Sequence, residues 1–555
     1  MKINKTSQYE FKHATHSIHG DTDIITAKLI EHAEDGKKIP RFILLQDYER
    51  PAWVTLPQYR KYKDKKTYEP LDRLMKIKST EARMPRALCQ ALGIRYHNGL
   101  FLNQLLSSPY VYGLAPRVTS LLKHKISKQW PEAVTDNIVA VGDIETSMLD
   151  DDEHILCMGV TCKDFVYLAV LGDFVKNIEN PIEKLHEAAN GYLNETIQGR
   201  NCKYEFEVVN SPAMIVIKCL AKLHELKPDF FAFWNMNFDI PRCIKALEDE
   251  GYKPEEYFND PSVPSKYRYL KYRPQKENKI SSGGRASNKA PSELWHILEN
   301  HASWYVVDPM CFYRKNRAHL KQEQSYALDY IGEKLINMKK LRFDVAKDHG
   351  EGSKQWHRYM QANHPIEYCI YCVQDCILVE LIDEECRDLM TTIQQKADAA
   401  EYQTMFNLPT ALEHGFYFEM LEDYDLVLGQ AGTDMRQELD KYIIDVDNII
   451  VMLPSHLIED NGLKLFADAP NIVSQCRSAA ADDDIESTYP SSQELMNLER
   501  ETIRRELVSI EGMNEAKQKQ IGYAIANGIV NSVHLCRELY NYPTLLELNA
   551  MIDNL

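Results

Sequence analysis

An α/β fold, in which helices cover a β-sheet, is what residues 136 to 395 predict. The first observation is a run of consecutive β-rich segments, Ile138-Val139-Ala140-Val141, then His154 to Cys162, then Phe165 to Leu171, which suggests a meander. The second is a change to alternation: Ala213 to Leu226 is patterned as a helix, Phe230-Phe231-Ala232-Phe233-Trp234 as a buried strand, and Ile240 to Glu250 as a helix again. Strands first, then strands alternating with helices, set helices against a sheet. Helical patterning returns over Ile366 to Met390 and continues past Gln394 to Tyr402.

The remaining segments frame this core. Residues 1–135 form a mixed α/β segment with short strand-like runs such as Arg41-Phe42-Ile43-Leu44-Leu45 and no chemical motif. Asn278 to Pro291, with Ser281-Ser282-Gly283-Gly284, reads as a loop or insertion. Residues 396–480 are a connecting region, and composition shifts again at Ala479-Ala480-Ala481-Asp482-Asp483-Asp484, opening a last segment, 481–555. The length suggests about three or four domains.

No stretch approaches the ~20 continuous apolar residues of a membrane span, and Met1-Lys2-Ile3-Asn4-Lys5 leads into polar residues, so a cytoplasmic protein that does not engage a membrane is expected. The 13 cysteines lack a repeated spacing, which favours reduced thiols, and Cys369, Cys372 and Cys376 read as one buried helix face. A net charge of −17 speaks against diffuse binding of nucleic acid over the whole surface. Three runs interleave basic residues with tyrosine, as single strands require: Tyr59 to Lys63, Lys266 to Arg273 and Tyr313 to Arg317. Of these, Lys266, Arg268, Lys271 and Arg273 are the strongest candidates for contact with DNA.

The chemistry is concentrated in three separated acidic clusters: Asp143-Ile144-Glu145-Thr146, Asn235-Met236-Asn237-Phe238-Asp239 and Tyr371-Cys372-Val373-Gln374-Asp375. In a strand, side chains alternate between faces, so Asp143 and Glu145 point the same way while Ile144 points into the packing beneath. Asp239 follows the next predicted strand, where a loop end can bring it to the same place. On the third element, a helix, Tyr371 and Asp375 are four apart and share a face. Four carboxylates and a phenol can thus gather at one point. Hard oxygen ligands select Mg²⁺ or Mn²⁺, and two such ions ~3.5–4 Å apart stabilise the attacking and leaving oxygens of a phosphodiester.

With these clusters the sequence resembles the proofreading 3'-5' exonuclease domain of family B DNA polymerases, most closely the tailed-bacteriophage branch. Ser325-Tyr326-Ala327-Leu328-Asp329-Tyr330-Ile331 extends the resemblance, as a stretch such phage enzymes carry between the second and third exonuclease motifs. An Asp-x-Glu triplet alone arises by chance in acidic proteins. Three motifs in order, each in the right predicted element, are far more specific. The resemblance implies a ribonuclease H-like fold for 136–395 and an N-terminal domain that helps cradle the template. It implies that Asp143 bridges two metal ions whose shells Glu145, Asp239 and Asp375 complete. Tyr371 would align the attacking water, Asn235 would contact the strand or order the loop carrying Asp239, and Phe238 would contact the strand. The implied reaction is hydrolysis of the 3'-terminal nucleotide.

The last segment holds Asp484-Ile485-Glu486-Ser487-Thr488-Tyr489-Pro490-Ser491, which resembles the first palm motif of the same family. The resemblance makes Asp484 a ligand of the catalytic metals of nucleotidyl transfer, and Tyr489 a contact to the incoming nucleotide. The fingers pattern and the Asp-Thr-Asp-Ser turn that the family places after this motif do not follow Ser491. Asp445 and Asp447 look like that turn displaced ahead of it, against the plainer reading of a surface hairpin. The leading expectation is a DNA polymerase polypeptide with proofreading activity and a partial palm. Its partners would be primer-template DNA, single-stranded 3' ends, dNTPs and a second subunit carrying the missing palm, fingers and thumb. A stand-alone exonuclease derived from a polymerase and a non-catalytic DNA-holding replisome subunit are the alternatives.

Overall fold

The computed structural model describes residues 7–61, 65–97, 100, 102–149, 153–194, 196–197, 200–276, 278–280, 286–350, 352–395 and 408–430. All of them lie in the first of two units into which the chain divides, residues 1–437 and 438–555. Asp484, Tyr489, Asp445 and Asp447 lie outside the described residues, as do Tyr62 and Lys63.

At the centre is a mixed six-stranded sheet in the order Lys203–Val209, Phe165–Leu171, Ile155–Cys162, Val139–Thr146, Phe230–Ala232, Tyr305–Val307. The three consecutive strands from Val139 to Leu171 pair antiparallel, giving the expected meander. Phe230–Ala232 runs parallel to both Val139–Thr146 and Tyr305–Val307, and Lys203–Val209 runs parallel to Phe165–Leu171. The chain is therefore an α/β protein.

Side-chain alternation along Val139–Thr146 decides what each face becomes. Ala140 and Ile144 join the core formed with the helices Pro212–Leu226 and Met236–Asp249. Between them a Cβ on Gly142 would come within 2.6 Å of the Phe231 ring, so this position has room for glycine only. Val139 and Val141 pack on the opposite side with Leu378, Val379 and Ile382 of the helix Pro365–Cys386. Further along that helix Cys369, Ile370, Cys372 and Val373 pack against Cys157, Val166 and Leu168. Cys369, Cys372 and Cys376 are fully buried, as expected of a core face.

The helix read over 366–402 is interrupted. It ends at Cys386, where Arg387 adopts a left-handed conformation (φ 56°), and a separate helix runs Asp388–Gln395. One local and two long-range partners fix the break: Leu389 N donates to Asp383 Oδ1 at 2.7 Å, and Asp388 is claimed by the distant Arg317 and Asn316.

The N-terminal segment holds more strand than its sequence shows. Gln8–His19, Thr22–His32 and Lys38–Gln46 form a three-stranded antiparallel sheet, and a second small sheet orders Leu74–Ser79, Arg50–Thr55 and Val111–Tyr112. Two buried lysines of the first sheet reach the central one. Lys28 Nζ donates to the carbonyls of Lys227 (2.6 Å), Pro228 (2.9 Å) and Ser303 (3.2 Å) and lies 3.1 Å from Asp229 Oδ1. Lys12 Nζ donates to Thr135 O (2.7 Å) and Asn137 Oδ1 (3.1 Å). In the predicted insertion, Asn278–Ile280 pairs antiparallel with Ala286–Asn288. No helix among the described residues is long and apolar enough to cross a membrane.

Candidate active site

The strand Val139–Thr146 turns Asp143 and Glu145 to the face covered by Pro365–Cys386, and that helix supplies Asp375. The ligating oxygens of these three carboxylates lie within 4.8 Å of one another. Asp239 comes from the first turn of Met236–Asp249, not from a loop end: the helix begins four residues earlier than its apolar pattern indicates. The reason is a cap supplied from far along the chain. Asn235 takes a left-handed conformation (φ 72°, ψ 57°), turning the chain sharply out of the strand, and Asp308 Oδ2 accepts from Met236 N at 3.1 Å. Asp239 is buried and accepts a backbone hydrogen bond from Ile144, and its charge acts on Asp143.

Crowding four carboxylates in a partly dry site makes their ionisation costly. Burial, then the charges of Asp375, Asp239 and Glu145, hold Asp143 well above the usual carboxylate range. Burial also raises Asp239 and Asp375, the latter against the pull of Lys340. Glu145 is pushed up to about 7 by burial, although a hydrogen bond from Tyr368 works the other way. Two carboxylate oxygens, Asp239 Oδ1 and Asp375 Oδ1, are buried without a hydrogen-bond partner among the described residues. Buried acceptors of this kind require compensation. An all-oxygen donor set with two such atoms fits a hard divalent cation.

Tyr371 Oη and Asp375 share a neighbour that the motifs did not reveal. Lys340 Nζ lies 2.5 Å from Asp375 Oδ2 and donates to Tyr371 Oη at 3.1 Å. Burial works against the ammonium, yet Asp375, Tyr371 and Asp143 together hold it well above the usual lysine range. Its loop is fixed at both sides: Lys340 N donates to Asp329 Oδ1 (2.8 Å), Leu341 N to Gln374 Oε1 (3.1 Å), and Gln374 Nε2 to Lys339 O (3.0 Å). The stretch Ser325 to Ile331 thus contributes Asp329 as the anchor of Lys340. Burial keeps the Tyr371 phenol protonated, and its ring packs against Trp356 with centroids 5.3 Å apart.

Sequence reasoning also missed Tyr368, whose hydroxyl donates to Glu145 Oε2. A signal existed, since Tyr368, Tyr371 and Asp375 stand at i, i+3 and i+7 on one helix face. For Asp308 and Lys340, separated from the motifs by long stretches, there was none.

The candidate strand-binding residues are distributed unevenly. Phe238, beside Asp239, keeps 36% of its surface exposed, and the Arg242 guanidinium lies 3.9 Å over its ring while pairing with Glu153 at 2.8 Å. Asn237 Oδ1 accepts from Tyr272 Oη at 2.6 Å. In the basic run, Arg268 is occupied by Glu256 and by the carbonyls of Val263 (2.8 Å) and Pro261 (3.0 Å), and Arg273 pairs with Glu299. Lys266 and Lys271 are exposed. Lys271 and Arg273 line a cavity of about 550 Å³ with Arg50, Arg117 and Tyr269, and none of the four carboxylates is in that lining. The other runs are similarly engaged: Arg60 donates to the carbonyls of Thr55, Ala91 and Leu92, Arg314 to Ser292 and Glu293, and Arg317 to Asp388.

No protein-family model matches the chain. Comparison with curated proteins gives no match either.

Proposed function

We propose that this chain is a 3'-5' exonuclease of the family B DNA polymerase type, removing the 3'-terminal nucleotide of a DNA strand. The observation that carries the reading is the convergence of Asp143, Glu145 and Asp375, with Asp239 beside them and Tyr371 on the same helix as Asp375. These residues come from three segments far apart in sequence. The mixed central sheet with helices on both faces is compatible with the ribonuclease H-like fold that the reading requires.

Asp143, Glu145, Asp239 and Asp375 would hold Mg²⁺ or Mn²⁺. When bound, such ions polarise the scissile phosphate and lower the pKa of a water. The chain's own groups do the rest. Tyr371, protonated, accepts from Lys340 and hydrogen-bonds Asp375, and its O–H would turn to the attacking water or a phosphate oxygen when a strand binds. Lys340 supplies positive charge where the phosphodiester develops negative charge. Phe238 offers an exposed ring on which a terminal base can stack.

The polymerase half of the reading, with Asp484 as metal ligand and Tyr489 against the incoming nucleotide, rests on residues outside those described. The test that addresses both halves uses the purified chain, Mg²⁺ and a 5'-labelled primer on a longer template, with and without dNTPs. Shortening in both conditions is the outcome for an exonuclease whose synthesis needs a second subunit. Extension with dNTPs identifies a complete polymerase. No shortening in either condition overturns the proposal.

Strand binding is expected to depend on exposed lysines rather than on the whole basic run. Lys266→Ala with Lys271→Ala should weaken single-strand affinity and lower the slope of log affinity against log salt by about 1 to 2. Binding titrations at several salt concentrations check this, and an unchanged slope removes both lysines from the strand's path.

A further inference from the structure

The carboxylate of Glu145 is held by a chain of hydrogen bonds from two helices. Tyr368, on Pro365–Cys386, is completely buried, and its hydroxyl donates to Glu145 Oε2. His357 Nδ1, on the helix Lys354–Asn363, lies 2.8 Å from the same phenol oxygen. A phenol has one proton, and here it goes to the carboxylate. His357 must therefore donate from Nδ1, which fixes its tautomer. Burial, followed by the charge of Lys340, lowers His357 to about 4, so the ring is neutral at ordinary pH.

The same helix grips the strand beyond Glu145. Gln361 Nε2 donates to Thr146 O at 2.8 Å and its Oε1 accepts from Met148 N at 2.8 Å. Trp356 packs against both Tyr368 (6.2 Å between centroids) and Tyr371 (5.3 Å), so neither phenol is free to turn. Backbone and side chain at Glu145 are fixed together.

We propose that His357 and Tyr368 are positioning residues for the metal ion: by holding Glu145 Oε2 they orient the carboxylate so that Oε1 is presented as a ligand, and they set the affinity of the cluster for a divalent cation. This rests on the reading of the cluster as a metal site. Partners of a ligand that do not themselves touch the metal typically change affinity by about 10- to 100-fold when removed.

The test is Mn²⁺ binding to the full chain without DNA, followed by the electron paramagnetic resonance of the free ion, alongside melting temperature. Tyr368→Phe should weaken binding about tenfold or more. His357→Leu should weaken it in the same direction, and His357→Asn, whose amide N–H can replace Nδ1–H, should restore it. Asp143→Ala is the control and should abolish tight binding. If Asp143→Ala loses Mn²⁺ while Tyr368→Phe binds like the unaltered chain, the positioning role is wrong. It is equally wrong if His357→Asn recovers nothing over His357→Leu. If Asp143→Ala itself binds Mn²⁺ normally, the cluster is not a metal site, and the proposed function falls first. Should Tyr368→Phe fail to fold, the two histidine variants decide.

Discussion

Asp143→Ala should reduce release of nucleotides from a 3' end on the order of 10³-fold while leaving the chain folded. Asp143 stands at the centre of the cluster: Asp375, Asp239 and Glu145 all act on it, and Lys340 reaches it as well. Removing it takes away the ligand through which the cluster acts as a unit, so residual activity should not recover at high Mg²⁺. Fold stability should move the other way. Without metal, the remaining carboxylates lose a repelling neighbour, and the variant should melt no lower than the unaltered chain. Melting curves with and without Mg²⁺ separate the two effects, because an ion that binds only the folded state raises the melting temperature. That rise should be present in the unaltered chain and absent in the variant. A variant that degrades a labelled strand at the normal rate would refute the role.

Lys340→Met should slow cleavage about a hundredfold yet bind Mn²⁺ more tightly than the unaltered chain. The two signs follow from the position of its ammonium. Lys340 occupies Asp375 Oδ2 at 2.5 Å, where it competes with a cation for the same oxygen, and donates to Tyr371 Oη at 3.1 Å, where it orients the phenol. Deleting it frees a ligand but takes away the hydrogen bond that Tyr371 Oη accepts and a positive charge beside the reacting phosphate. Arginine is not expected to substitute, since a planar fork cannot take the place of a compact ammonium between two oxygens. Single-turnover rates at saturating metal, set beside Mn²⁺ titrations, check both signs. Equal losses of rate and metal affinity would show that Lys340 only supports the fold.

What could be read beforehand follows the range of the forces involved. The period-two alternation placed Asp143 and Glu145 on one face with Ile144 beneath them, and the four-residue spacing placed Tyr371 with Asp375, because both are properties of a single element. Asp239 was placed beside the others but in the wrong local structure, since the cap that starts its helix early belongs to Asp308. Lys340 was hidden because nothing in Met338-Lys339-Lys340-Leu341 distinguishes one lysine from the next until Asp329 and Gln374 fix the loop. The basic runs were visible as charge but not as paired charge, since Glu256, Glu299, Glu293 and Asp388 come from elsewhere. Of the N-terminal sheet only the strand holding Arg41 to Leu45 showed, for a related reason. Thr22–His32 is buried along nearly its whole length, so alternation between polar and apolar residues has no surface on which to appear.

Lys12 and Lys28 carry one more implication, for inheritance. Both belong to the N-terminal sheet, yet their ammonium groups satisfy Asn137, Asp229 and backbone carbonyls at the roots of the strands that lead toward Asp143 and Asp239. Lys28 and Asp229 are both essentially sealed from water, and removing one member of such a pair costs about 3–5 kcal/mol. A gene fragment opening at residue 136 would encode all four carboxylates and still leave a stranded negative charge beneath them. Recombination that transfers this sheet intact to another polypeptide must carry the N-terminal strands along, so the smallest heritable piece is larger than the smallest chemical one.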